Sequence, residues 1–112
     1  MKTVIIESPY KGDIHANVAY AYRAALDCLG RNEAPFASHI FYIHFLDDND
    51  PTLRSLGIKA GFAWWKHADL IAFYTDRGWS PGMKVAYEKC RLETKKFSLR
   101  SLYGDPKPPG TI

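Results

Sequence analysis

The stretch from Asp69 to Cys90 constrains the fold more than any other part of the sequence. Its apolar run, Leu70 to Tyr74, has the length and composition of a buried strand. A polar loop follows, and Ser80 and Pro81 then begin a helical pattern as N-cap and first helical residue. A strand that leads into a helix in this way points backbone N–H groups over its carboxyl end. The stretch therefore predicts a site there for an anion or a hydroxyl-rich ligand.

Three other segments have strand character. Thr3 to Ile6 is β-branched and apolar throughout, which favours a central strand buried on both faces. Ala34 to His39 is a short extended segment, and Lys96 to Tyr103 alternates polar and apolar residues like a half-buried edge strand. The aromatic-rich segment from Ile40 to Leu46 fits either a strand extension or a loop packed on the core.

Two more helices precede the one that begins at Ser80, and each pattern has a predicted core face. Asp13 is the predicted N-cap of the first helix, which ends near Gly30, and Asp50 with Pro51 begins the second. Apolar residues recur at spacings of three and four in all three helices. The predicted core faces are Ile14, Val18, Tyr22, Ala25 and Leu29, then Leu53, Leu56, Ala60 and Trp64, then Met83, Ala86, Tyr87 and Cys90.

Strands that alternate with helices predict an α/β fold, with right-handed crossovers and a short parallel sheet flanked by helices on both faces. In such sheets ligands bind beyond the carboxyl ends of the strands. We therefore expect the loops Ser8–Asp13 and Asp76–Gly82 to meet at one site. Residues 1–103 form the predicted domain, and residues 104–112, with three prolines and two glycines, form a flexible tail.

Composition excludes several classes of protein. The chain has 112 residues, enough for one domain, and a net charge of +3, which is low for a nucleic-acid-binding protein. No apolar run predicts a signal peptide or a membrane span, so we expect a cytoplasmic protein in which Cys28 and Cys90 are reduced. The cysteines and histidines show no metal-ligand spacing. We expect neither a metal nor a cofactor.

Several motifs, in this order, carry a resemblance to a known family. They are Ser8-Pro9-Tyr10-Lys11-Gly12-Asp13, Ala16-Asn17-Val18, Arg23, Phe36-Ala37-Ser38-His39, Phe45-Leu46-Asp47-Asp48-Asn49-Asp50-Pro51 and Ser80-Pro81-Gly82-Met83. The chain resembles the nucleoside 2-deoxyribosyltransferase-like family, which includes short bacterial and phage proteins. The resemblance implies a flavodoxin-like (Rossmann-type) three-layer fold that handles a nucleoside or nucleotide. It also implies a homo-oligomer, which light scattering at micromolar concentration would test.

Catalytic members of that family use a glutamate, four residues after the first glycine of the helix-opening motif, to attack the sugar's anomeric carbon. Counted from Gly82, this position is Ala86, so the expected nucleophile is absent. Glu88 lies two residues further on, about 200° around the helix, and cannot replace it. The candidates for a substitute catalytic carboxylate are Glu7, at the end of the first strand, and Asp76, at the end of the third.

Twelve residues are candidates for contacting a ligand at the predicted site. They are Ser8, Pro9, Tyr10, Gly12, Asp13, Asn17, His39, Asp76, Trp79, Ser80, Gly82 and Met83. Some of them have a structural alternative: Gly12 also relaxes a turn, and His39 also fits a buried structural histidine. Trp79 is the predicted stacking partner for a base, whereas the spacing of Trp64 predicts a core position. The acidic run Asp47–Asp50 fits helix capping better than metal binding.

Three functions remain open. The first is a protein that binds a nucleoside, a nucleotide or a nucleotide-derived signal without catalysis, for example a phage protein that sequesters a host signal. The second is an N-glycosidase or deoxyribosyltransferase that acts on nucleosides or their monophosphates through a substitute carboxylate. The third is an oligomeric structural protein without a ligand. The absence of a glutamate at Ala86 favours the first.

Overall fold

The sheet consists of four parallel strands in a computed structural model that describes residues 1–111. The strands are β1 (Lys2–Glu7), β2 (Glu33–Phe36), β3 (Leu70–Tyr74) and β4 (Phe97–Arg100), and their order in the sheet is β2-β1-β3-β4. Strand β1 is central, between β2 and β3, and β4 is an edge strand, as the sequence predicts. The fold is α/β and flavodoxin-like.

Four α-helices alternate with these strands: α1 (Ile14–Gly30), α2 (Ser38–Phe41), α3 (Pro51–Ala63) and α4 (Pro81–Leu92). Short 3₁₀ turns follow at Tyr42–His44, Trp65–His67 and Pro109–Thr111. The three predicted N-caps are confirmed, because Asp13, Asp50 and Ser80 each accept a hydrogen bond from a backbone N–H of the first helical turn.

The two faces of the sheet carry separate hydrophobic clusters. On one face, Val4 and Ile6 of β1 pack with Tyr20 and Cys28 of α1. Because side chains alternate along a strand, Ile5 points to the other face, where it packs with the buried side of α4. That side consists of Met83, Ala86 and Cys90, which the sequence predicts. This second face continues to Glu7 at the carboxyl end of β1.

The predicted core face of α1 is wrong. Ile14, Tyr22 and Leu29 are each about half exposed, at 47%, 52% and 51%. The buried residues are instead Asn17, Tyr20, Ala21, Ala24 and Cys28. Alanine and cysteine side chains allow the helix to approach the sheet closely, which offsets the smaller apolar area that each of them buries. Helix α1 therefore has two apolar faces, and the bulkier one is exposed.

The predicted core position of Trp64 is also wrong. Trp64 is 48% exposed and Trp65 only 3%, so Trp65 is the core residue. The predicted core face of α3 is itself misplaced, because Leu56 on that face is 55% exposed and the buried residue of the helix is Gly61. Trp64 instead donates a hydrogen bond from Nε1 to the Tyr42 hydroxyl at 2.9 Å.

The segment from Ile40 to Leu46 is neither a strand extension nor an irregular loop. Its residues up to His44 belong to α2 and the 3₁₀ turn after it, and the Ile40 and Phe41 N–H groups both donate to the Ala37 carbonyl at 3.2 Å. Strand β2 accordingly ends at Phe36, and His39 lies in a helical turn rather than at a strand end.

The predicted tail is in contact with the domain at Lys107. Its N–H donates to the Thr75 hydroxyl at 2.9 Å, and its carbonyl accepts from Trp79 Nε1 at 2.8 Å. The final residue of the predicted tail, Ile112, lies outside the described residues. Within residues 1–111, no helix has the length and apolar character needed to cross a membrane.

A buried ion pair joins the two outer strands across the α1 face of the sheet. Arg100 of β4 donates two hydrogen bonds of 2.7 Å to the carboxylate of Glu33 in β2. The two side chains are only 6% and 10% exposed. These hydrogen bonds lower the pKa of Glu33 and raise the pKa of Arg100, so both groups stay charged.

We predict that Arg100→Met lowers the free energy of unfolding by about 3–5 kcal/mol, because it leaves the Glu33 carboxylate buried and unpaired. The matched control is Arg91→Met, since Arg91 pairs with Glu88 at 3.8 Å on the exposed surface of α4. That change should cost at most about 1 kcal/mol. Urea unfolding measures both, and equal effects of the two substitutions would contradict the prediction.

Candidate functional site

A cavity of about 380 Å³ lies beyond the carboxyl end of β1. The loop after β1, the short helix α2, one side of α3 and the start of α4 form its walls, and most of the lining surface is apolar. Cavities of about 300–1,000 Å³ with mainly apolar walls and a few polar groups are typical of sites for small organic ligands.

The cavity brings together seven of the residues singled out from the sequence. They come from the end of β1 and the loop after it, from α2, and from the start of α4: Glu7, Ser8, Tyr10, His39, Ser80, Gly82 and Met83. The loops after β1 and β3 meet because these two strands are neighbours in the sheet.

Four candidates from the loop after β1 and the start of α1, Pro9, Gly12, Asp13 and Asn17, lie outside the cavity lining. Three of them shape the loop. Gly12 has φ +99°, a left-handed conformation that disfavours other residues, and Asp13 caps α1. The Asn17 side-chain amide donates to the carbonyls of Tyr10 and Lys11 at 3.0 Å each. Asn17 thus positions two residues that do line the cavity.

The candidate catalytic residue Asp76 also lies outside the cavity lining. Its carboxylate accepts hydrogen bonds from the hydroxyls of Tyr20 and Ser101 and from the N–H groups of Leu102 and Tyr103. Burial opposes ionisation, but these hydrogen bonds outweigh it and lower the pKa of Asp76 to about 2. Asp76 therefore joins α1 and the segment after β4 to the end of β3.

Trp79, the predicted stacking partner for a base, is packed in the core. It is 6% exposed and stacks on Phe73 with ring centroids 5.2 Å apart. Tyr87 contacts both rings edge to face. Trp79 therefore belongs to the hydrophobic cluster on the α4 face of the sheet and does not line the cavity.

Glu7 is the acidic residue of the cavity floor, which we define as Glu7, Ser8 and His39. Its side chain points to the α4 face of the sheet, and its charge raises the pKa of the Cys90 thiol on that helix. Within residues 1–111, its carboxyl group has no hydrogen bond or ion pair. Burial without a partner raises the pKa of Glu7 to about 8, so the carboxyl is mostly protonated at neutral pH.

Ser8 and His39 complete the floor as a hydrogen-bonded pair, with Oγ and Nε2 2.8 Å apart. Burial lowers the pKa of His39 to about 4, so the ring is neutral at pH 7. Its Nδ1 atom is buried and has no hydrogen-bond partner in the described part of the chain. Leaving a buried N–H group without an acceptor costs more free energy than leaving a buried, unprotonated ring nitrogen without a donor. We therefore leave Nδ1 unprotonated and assign the proton to Nε2. Nε2–H then donates to Ser8, whose hydroxyl hydrogen is free for a ligand.

Ala86, the position of the glutamate in catalytic members of the resembled family, is 1% exposed and packs in the core with Met83 and Cys90. It does not line the cavity, and Glu88 is on the exposed side of α4.

Sequence reasoning missed the contribution of α3 to the cavity and, apart from His39, that of α2. The additional lining residues are Lys11, Ser38, Tyr42, Ile43, Leu46, Asp48, Leu53, Arg54, Gly57, Ile58, Gly61, Phe62, Pro81 and Val85. A signal was present in the spacing of Gly57 and Gly61, one helical turn apart. A Cβ atom at Gly61 would lie 2.7 Å from Ser38 Oγ, so this glycine allows α2 and α3 to approach closely.

The aspartates of the acidic run before α3 have two different roles. Asp47 and Asp50 accept backbone hydrogen bonds in the turn and the helix cap, whereas Asp48 points into the cavity. Within the part of the chain that the structure describes, no three His, Cys, Asp or Glu side chains are placed to hold a metal ion.

The fold and the cavity define a parallel α/β protein with a ligand-sized site at the carboxyl edge of its sheet. The chain belongs to the family described as a domain of unknown function, DUF7768, whose model matches residues 2–100. Comparisons with curated proteins and with solved structures gave no match.

We predict that Glu7→Gln stabilises the protein increasingly as the pH rises from 5 to 8. The pKa of Glu7 is about 8 in the folded protein, whereas an unperturbed glutamate has a pKa of 4.5. Between these values the folded state holds a proton that the unfolded state has lost, so stability falls as the pH rises. The upper limit is about 1.4 kcal/mol per pH unit.

Urea unfolding of both proteins across this pH range measures the difference. The comparison with wild type cancels the opposite effect of His39, whose lowered pKa makes stability rise between about pH 4 and 6.5. Glu88→Gln, on the exposed surface of α4, is the control and should give a difference that does not change with pH. A flat profile for Glu7→Gln would show that the carboxyl is not desolvated.

Proposed function

We propose that the protein binds a nucleoside or nucleotide in the cavity beyond β1. The observation that carries the proposal is the convergence of Ser8, Tyr10, Ser80 and Gly82 on one ligand-sized space. These residues belong to the motifs that resemble the nucleoside 2-deoxyribosyltransferase-like family. The proposal thus rests on two supports, the geometry of the cavity and the resemblance.

The chemistry of the lining supports a ligand with an aromatic part and a hydroxylated part. Tyr10, Tyr42 and Phe62 supply flat apolar surface that suits a base. At the floor, the Ser8 hydroxyl donates a hydrogen bond and suits an oxygen of a sugar. The protonated carboxyl of Glu7 adds a second donor there.

We predict that at least one of the common deoxynucleosides or their 5′-monophosphates raises the melting temperature. Ser8→Ala should weaken binding of that compound by up to about tenfold, the effect of one hydrogen bond of about 0.5–1.5 kcal/mol. The control is Ser55→Ala, an exposed serine of α3 that does not line the cavity. Differential scanning fluorimetry screens the compounds, and isothermal titration calorimetry measures the affinities. No shift with any compound would contradict the proposal.

A second candidate function is cleavage of an N-glycosidic bond, and the unpaired carboxyl of Glu7 favours it. The Glu7 side chain points to the face of α4 that carries Ala86. In catalytic members of the resembled family the glutamate projects from this helix, whereas here a carboxyl group approaches it from the strand. In this scheme the Glu7 carboxylate attacks the anomeric carbon and the base leaves, taking up a proton. Water then cleaves the glycosyl ester and restores the carboxylate.

The reaction requires ionised Glu7, so its rate should rise with pH and level off above about pH 8, near the raised pKa of Glu7. Chromatography of free base released from deoxynucleosides and their monophosphates measures the rate. Glu7→Gln should abolish release, and Glu88→Gln should leave it unchanged. Release by Glu7→Gln at the wild-type rate would exclude this mechanism, whereas binding without release would leave the binding function alone.

A further inference from the structure

Three charged side chains from separate segments, Lys11, Asp48 and Arg54, meet at the entrance of the cavity. We call these three residues the mouth of the cavity. Lys11 belongs to the loop after β1, Asp48 to the turn before α3, and Arg54 to α3. Asp48 Oδ2 is 3.8 Å from Lys11 Nζ, and Asp48 Oδ1 is 3.6 Å from Arg54 Nε. All three line the cavity, so their charges face any ligand that enters it.

Both cations keep their hydrogen-bonding capacity. The two distances exceed the 2.7–2.9 Å of a charge-assisted hydrogen bond. Neither side chain donates a hydrogen bond to any other group in residues 1–111. Two positive charges share one carboxylate, which leaves the mouth with a net charge of +1.

The rest of the structure fixes where these groups lie. Asn17 binds the Lys11 carbonyl, and the Arg54 N–H donates to the Asp50 carbonyl at 2.8 Å in the first turn of α3. The turn that carries Asp48 is held by the neighbouring Asp47, which accepts hydrogen bonds from the N–H groups of Asn49 and Asp50. The backbones of the three residues are therefore positioned by internal hydrogen bonds.

The other polar parts of the cavity suit an anion less well. Pro81 at the start of α4 has no N–H, and Ser80 accepts the hydrogen bonds of the Met83 and Lys84 N–H groups. The floor carries Glu7, which has no compensating cation and would repel an anion once ionised. A ligand with one anionic end would therefore place that end at the mouth.

We propose that Lys11 and Arg54 form a subsite for a phosphoryl group, for which Asp48 is the competing internal anion. The guanidinium of Arg54 matches two phosphoryl oxygens, and Lys11 adds a second positive charge. The subsite rests on the proposed function in one respect, that the phosphoryl group belongs to a nucleotide whose uncharged part fills the apolar cavity. It makes the preferred ligand a nucleotide rather than a nucleoside.

The first experiment tests the subsite without any nucleotide. Inorganic phosphate is titrated into the protein at constant ionic strength, and the NMR signals of Arg54 Nε–H and the Lys11 N–H are followed. We expect saturable shifts at both residues, affinity about tenfold weaker in Arg54→Gln, and affinity several-fold tighter in Asp48→Asn, where the competing charge is removed. The charge-matched control is Lys59→Gln, an exposed position of α3 outside the cavity lining, which should behave as wild type.

Shifts that do not saturate, or an equal effect of Arg54→Gln and Lys59→Gln, would overturn the subsite whatever the natural ligand is. The second experiment compares each deoxynucleoside with its 5′-monophosphate by calorimetry. We expect the monophosphate to bind at least tenfold more tightly, and we expect Arg54→Gln to weaken binding of the monophosphate much more than binding of the nucleoside, so that most of that advantage is lost.

The two experiments separate the two proposals. Nucleosides and monophosphates that bind equally well would support the nucleoside-type cavity and overturn the phosphoryl subsite. Saturable phosphate binding at Lys11 and Arg54, with no binding of any nucleoside or monophosphate, would support the subsite and contradict the nucleotide function.

Discussion

The buried ion pair between Glu33 and Arg100 is the interaction that holds the two outer strands of the sheet in position relative to each other. It connects β2 and β4, the two strands that have a neighbour on one side only, across the face that α1 covers. The Tyr74 hydroxyl also accepts from Arg100 and donates to Asp27 of α1, so helix and sheet share one polar network. Because neither Glu33 nor Arg100 can be removed singly without leaving a buried charge, the pair favours this arrangement of strands. The cavity forms at the carboxyl edge of the sheet so defined.

The strands, the helix caps and the parallel direction of the strands were predictable because each depends on residues near in sequence. β-Branched runs, Ser or Asp before a helix and alternation of strand with helix are local signals. The faces of the helices were harder to predict. In α1, two apolar stripes compete, and the bulkier one, with Tyr22 and Leu29, is the exposed one. A prediction from hydrophobic periodicity favours the helix face with the larger apolar side chains. In the structure, close packing against the sheet instead buries the small side chains of Ala21 and Ala24.

The candidate site was predictable where it follows from topology. Adjacent parallel strands end at the same edge, so Ser8 and Ser80 line one cavity. For the wall from α2 and α3 the only local signal was the spacing of Gly57 and Gly61, which does not indicate that Gly61 contacts Ser38 or that Asp48 faces Lys11. Asp76 and Trp79 have residue types that suit ligand contact, but the hydrogen bonds of the one and the packing of the other give them structural roles. Residue type alone does not distinguish these outcomes.

The closely packed inner face of α1 makes the shape of the cavity sensitive to changes on the opposite side of the sheet. Ala21 and Ala24 set the height of the helix above the strands, and Asn17, one turn earlier, binds the carbonyls of Tyr10 and Lys11. A larger side chain beneath α1 would lift the helix and carry the loop with it. Selection for a new ligand could therefore act through remote packing substitutions that leave every residue of the cavity unchanged.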